Sequence, residues 1–189
     1  MKKSRLDPMP LLFPTPVVLV TCQNRLSKPN IITIAWTGVV NSKPPMIGIS
    51  IQPIRYSHDL IRASGEFGVN IPTREMLRLA DYCGSVSGRV VNKFEATGLT
   101  AFQGKEIEAS LIEECPVNLE CKVRHFLTLG MHDLFIGEIL AIHIDTDILD
   151  NKGNIDPKKI EPIAFFSRPL EYWCLREKIG TYGFTQGRL

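Results

Sequence analysis

Residues 30–38 read NIITIAWTG, and the alternation within them governs which fold the chain can adopt. Ile32, Ile34 and Trp36 share one parity; Ile31, Thr33, Ala35 and Thr37 share the other. Successive side chains of a strand point to opposite faces. The segment therefore predicts a strand over 31–40 with one bulky face and one that is small or hydroxyl-bearing after its first position. Two readings account for such a face: a strand edge in water, or a flat polar body lying against it.

The neighbours extend the β pattern. PVVLVTC (16–22) is apolar and β-branched, as a buried strand requires, and QNRLSKP (23–29) is a polar loop. NSKPP (41–45) breaks the opening strand, and MIGISI (46–51) supplies a third. Three strands with short links favour an antiparallel sheet. After the loop QPIRYS, Ser57 is placed to cap a helix over 58–64, with Asp59 in its first turn. FGVNI (67–71) is another strand; Thr73 then caps a helix in which Met76, Leu77, Ala80 and Cys83 follow helical spacing. The glycine-rich stretch 83–100 turns repeatedly, with a short helix near 93–97. Strands follow around 117–127 and over 134–145, joined by a turn near 130–133. The segment 147–159 is a polar loop, 163–175 mixes aromatics with a proline, and the tail YGFTQGRL is irregular. Many strands with few inserted helices, and no internal repeat, predict one mainly β domain over 1–189 built as a closed or partly closed barrel.

Composition narrows the function. The 189 residues suffice for one sizeable core. A net charge of +2 argues against a nucleic-acid surface built on charge excess. No apolar run is long enough to span a bilayer, and three prolines interrupt the apolar part of the N-terminal twenty residues, which makes a poor signal peptide. The expected location is the cytoplasm. Five cysteines without CxxC spacing predict buried, reduced thiols rather than zinc ligands or a redox pair.

Motifs for the P-loop, the Rossmann turn, zincins and the hydrolase elbow are absent from the sequence. The local chemistry worth keeping lies in SIQPIRYSHDL (50–60), where Arg55 and Ser57 precede a predicted helix. A helix start offers unpaired N–H groups to phosphate; an ordinary capped helix beside a surface arginine is the competing reading. In SGRVVNKF (87–94) the glycine permits close backbone approach to an anion, with Arg89 and Lys93 adding charge, against the alternative of a solvated loop. Of the four histidines, His58 is expected to be neutral and exposed, and His125 and His143 to point outward or bond locally. His132, in the turn GMHDLF, is the one placed to reach over a ligand.

These segments occur in an order that resembles the flavin reductase-like family with an FMN-binding split barrel, most closely its flavoredoxin branch. The likeness rests on PTPVVLVT (14–21), PNIITIAWTG (29–38), PPMIGISI (44–51), RYSHDLI (55–61), EFGVNIP (66–72), CGSVSGRVVNKF (83–94), LECKV (119–123) and HDLFIGEI (132–139), with PIAFF and YW near the end. It implies a Greek-key, six-stranded antiparallel split β-barrel that forms a homodimer and binds FMN near the dimer interface. By likeness of motif, Asn30, Thr33, Ala35, Trp36 and Thr37 would line the isoalloxazine and ribityl region. Ser50, Gln52, Arg55 and Ser57 would run toward the phosphate, and Lys93 would approach it from the glycine-rich loop. His132 and Phe165 would stand near the ring, with Phe166 an alternative to Phe165. The implied activity is oxidoreduction: hydride passes from NADH or NADPH to the flavin, and no dedicated acid, base or metal ligand is needed. A flavoredoxin-type carrier reduced by a partner protein is the alternative, and a flavin-free binding module a third possibility.

Overall fold

The computed structural model describes residues 1–175 and 177–186; the end of the tail expected to be irregular lies outside them. Its strands and helices, in chain order, are β1 (Thr15–Pro16), β2 (Val18–Cys22), β3 (Asn30–Ile34), β4 (Thr37–Ser42), β5 (Pro45–Ile51), α1 (Tyr56–Ser64), β6 (Glu66–Ile71), α2 (Leu77–Ser85) and α3 (Lys93–Thr97). Then come β7 (Ala101–Phe102), β8 (Leu111–Ile112), β9 (Val117–Thr128), β10 (Asp133–Ile144), α4 (Pro157–Ile160), β11 (Ile163–Phe166) and β12 (Glu171–Cys174). The main sheet has the order β3-β2-β6-β9-β10-β5-β4, with every pairing antiparallel. It is the expected mainly β architecture, a sheet curled into a half-open barrel, but with seven strands rather than six. The extra strand arises because NIITIAWTG does not run as one strand. It bends at Ala35 and Trp36, so β3 and β4 become opposite edges of the same sheet. A second sheet, β1-β11-β12, packs beside it. Among the described residues no helix is long and apolar enough to cross a membrane.

Alternation along β3 now has a physical account. Ile32 and Ile34 face the barrel interior with Val18, Val20, Ile47, Ile49, Phe67 and Phe135. Ile31 faces the other way, into a second apolar layer with Leu19, Ala80, Cys83 and Phe94, where α2 and α3 cover the sheet. Thr33 lies beneath α2, and its hydroxyl donates to the Ala80 carbonyl. A Cβ on Gly84 would stand 3.1 Å from Thr33 Cβ. The small face is therefore small first because a helix rests on it.

At the far end of the sheet, Glu120 of β9 is fully buried. Its carboxylate accepts the amides of Lys105 (3.1 Å), Glu106 (2.7 Å) and Ile107 (3.0 Å), and His143 Nε2 lies 2.7 Å away. Burial opposes its ionisation, yet His143 and the three amides outweigh burial and hold its pKa below the usual 4.5. A depressed carboxylate pKa contributes stability that is complete above the unfolded value and lost as pH falls through the folded one. Glu120→Gln is thus expected to cost about 1–3 kcal/mol at pH 7. The gap to the parent should close as urea denaturation is repeated from pH 5 down to pH 3; a constant gap would assign the cost to packing instead.

Candidate functional site

The turn before α1 is tight: the Arg55 amide donates to Gln52 O (3.0 Å) and the His58 amide to Arg55 O (3.0 Å). The helix begins at Tyr56, two residues earlier than the sequence suggests, with Arg55 as its N-cap in extended conformation. Ser57 does not cap it. Its side chain is buried, and its hydroxyl accepts from Asn30 Nδ2 at 2.8 Å. With no side-chain cap, the first amides of α1 remain available to an anion. His58, expected to be exposed, is buried: its Nε2 lies 2.8 Å from Asp133 Oδ2, and its ring meets Phe135 edge-on at 5.2 Å. The second carboxylate oxygen of Asp133 has no partner among the described residues.

A cavity of about 410 Å³ opens at this helix start. Asn30, Gln52, Arg55, Ser57 and Lys93 all line it, together with Gly84, Ser87 and Gly88. A second cavity of about 200 Å³ adjoins it at Ile32, Gln52, Arg55 and Gly84, walled further by Thr33, Ala35, Trp36, Ser50 and His132. There the rings of Trp36 and His132 stand 4.6 Å apart. A third cavity, of about 310 Å³, adjoins at Thr33, Ala35 and Gly84 and is closed by Phe165 and Tyr172. The cleft is thus basic at one end and aromatic at the other.

Of the twelve residues that the resemblance places at the flavin (Phe165 counted, its alternative Phe166 not), only Thr37 lies outside all three cavities; its hydroxyl donates to Gly48 O (2.8 Å) inside the sheet. Phe165 reaches only the third cavity, and Phe166 none of them. Lys93 is buried and already donates to Ile31 O and Cys83 O, both at 2.6 Å. It ties β3 to α2 and retains one of its three N–H donors. Burial pulls its ammonium below the usual lysine value, and the nearby Arg55 charge acts in the same direction. Arg89 is turned away, bonded to Asp59 at 2.6 Å and lying over the Tyr56 ring. By contrast, Arg55 has no carboxylate within ion-pair distance among the described residues. Cys83 also lines the first cavity, but burial pushes its thiol up to about 11, so it stays protonated at neutral pH.

Sequence reasoning missed Ile32, Tyr56, Gly84 and Gly88 as walls of the cleft. The glycines were visible as a loop able to approach an anion; which carbonyls and amides they would face was not. No cluster of metal-ligating side chains occurs among the described residues. What the arrangement suits is an elongated ligand with an anionic terminus and a flat body.

Comparison with known proteins gives that ligand a context. The family model described as "Flavin reductase like domain" matches residues 9–173. An uncharacterised protein of Archaeoglobus fulgidus is 33% identical over 165 residues, 87% of this chain and 92% of its own. Flavoredoxin of Desulfovibrio vulgaris (Miyazaki F) superposes with a TM-score of 0.91 at 36% identity, covering 100% of both chains. Flavoredoxin of Methanosarcina acetivorans gives 0.91 at 32%, covering 98% of this chain and 97% of its own. An FMN-binding protein of Thermus thermophilus gives 0.81 at 25%, covering 96% and 99%.

Proposed function

The chain belongs to the flavin reductase-like family, and we propose that it binds FMN in the cleft and works as an oxidoreductase that draws electrons from NADH or NADPH. The observation that carries the reading is Arg55: a guanidinium without a carboxylate partner among the described residues, at an uncapped helix start, shared by the two cavities that make up the cleft. That donor set fits a terminal phosphate. Once bound, FMN supplies the electron-accepting and electron-donating chemistry.

The chain supplies the rest. Arg55, Ser57 and the α1 amides hold the phosphate, and Asn30 and the remaining Lys93 donor support it. Gln52 and Ser50 offer polar contacts along the middle. Thr33 and Ala35 keep the wall low where the ring lies, so that backbone can reach its polar edge. Trp36 and His132 close one side of the ring end and Phe165 the adjoining one, excluding water from the redox centre. We assign the role of outer ring-face residue to His132. Thr37 serves the sheet and is dropped from the set.

The proposal extends to a homodimer. Val39, Val40, Leu129 and Met131 are all exposed, on the edge strand β4 and the β9–β10 turn near the ring end. We assign them to a homodimer interface. The free cysteines, four of the five buried, suit a reducing cytoplasm.

A second reading is favoured by the two flavoredoxin structures, each above 30% identity: an electron carrier reduced by a protein partner. Anaerobic addition of NADH or NADPH to the FMN-loaded protein separates the two. Loss of the absorbance near 450 nm within seconds supports the reductase. Bleaching by dithionite but by neither nicotinamide supports the carrier, and failure to take up FMN at all removes both.

A further inference from the structure

Beyond the phosphate end of the cleft lies another cavity, of about 350 Å³, bordered by Leu26, Lys28, Val90 and Val91. It shares with the first cavity only Asn30, Tyr56 and Gly88. Resting on the flavin reading, we propose that these three residues form a partition that restricts the cleft to a flavin mononucleotide and shuts out the dinucleotide.

The partition is held from several sides. Asn30 Nδ2 donates to Ser57 Oγ at 2.8 Å, fixing the amide against α1. Its other side abuts Gly88: a Cβ there would collide with the Asn30 carboxamide and stand 3.0 Å from the Tyr56 ring. Gly88 is therefore the residue type that lets the loop seal against both neighbours. The Tyr56 ring is pinned under the Arg89 guanidinium, 5.1 Å from its centroid, and Arg89 is fixed by its bond to Asp59. The loop itself is closed by the Val90 amide on Ser87 O (3.2 Å).

In FMN the phosphate is the end of the molecule, so donors can surround it. In FAD the same phosphorus carries a second phosphoryl group and adenosine, which must leave the cleft at that end, and there the partition stands. The cations of the cavity beyond are already paired with carboxylates, which would compete with a second phosphoryl group. Lys28 is bonded to Glu95 at 2.9 Å and Arg89 to Asp59. Leu26 and Val90 stand largely uncovered at its rim.

Titration of the flavin-free protein with FMN and with FAD, followed by quenching of flavin fluorescence, tests the partition. The parent is expected to prefer FMN by more than about tenfold. Asn30→Gly and, separately, Tyr56→Ala should join the two cavities. In either variant the dissociation constant for FAD itself should fall, by about threefold or more, while that for FMN does not. Loss of an FMN contact alone could not produce that result. A parent that binds FAD as tightly as FMN overturns the inference and leaves the flavin reading standing. So does unchanged or weaker FAD binding in a variant whose circular dichroism matches the parent. A parent that binds neither flavin overturns both.

Discussion

Arg55→Ala is expected to weaken FMN binding by roughly 10–100-fold, because a charge-assisted hydrogen bond to an anion contributes about 1.5–3 kcal/mol. Arg55 has no carboxylate partner among the described residues and borders both cavities of the cleft. Nothing else at the uncapped start of α1 replaces its charge, since Lys93 already gives two donors to Ile31 O and Cys83 O. Arg89→Ala is the matched control. It removes an equal charge from the neighbouring loop, but one bonded to Asp59, and should change the dissociation constant by less than about threefold. Calorimetric titration of both variants at low and high salt checks this. Equal losses in the two would mean that the cleft attracts FMN through its general field and not through Arg55.

Asp133→Ala should be the most destabilising change near the cleft. The carboxylate is buried and bonds the buried His58 Nε2 at 2.8 Å. Removing one partner of a buried hydrogen-bonded pair leaves the other unsatisfied, which costs about 1–3 kcal/mol. The urea midpoint should then fall by about 0.5–1.5 M. Asp133→Asn keeps an acceptor for His58 and should fall less. Because Asp133 follows His132 directly, the alanine variant should also loosen the packing of His132 on Trp36, read as a change in tryptophan fluorescence in the folded state at zero urea. A midpoint within about 0.3 M of the parent would show that the pair contributes little to the fold.

Much of this was legible in residue patterns. The buried strands β2, β5 and β6 and the helix α2 follow from β-branched runs and helical spacing that packing merely reinforces. The cleft residues from Asn30 to His132 came from family likeness laid over weak local signals, and all but Thr37 line one of the three adjoining cavities. What escaped was decided by tertiary partners. Ser57 has the chemistry of a cap, but Asn30 engages its hydroxyl. His58 has the polarity of a surface residue, but Asp133, 75 positions away, gives it a buried bond. The hydroxyls of Thr33 and Thr37 read as a polar face awaiting a ligand, and both are engaged by main-chain carbonyls. A periodicity in one strand cannot say which of two bodies, a helix or a ring, will rest on it. On β3 the helix takes Thr33, and the cleft begins at its end.

The bend at Ala35 and Trp36 ties two distant edges of the sheet together. β3 and β4 are the two free edges of the seven-stranded sheet, yet only those two residues separate them. Three peptide links span at most roughly 11 Å, and the Trp36 carbonyl is further anchored by the Ser50 amide at 3.0 Å. The ends of the two edge strands therefore stay within that reach of each other at the bend. The wall of the cleft at Ala35 and Trp36 is set by the chain's own connectivity, so lengthening this two-residue link would shift both edges of the sheet at once.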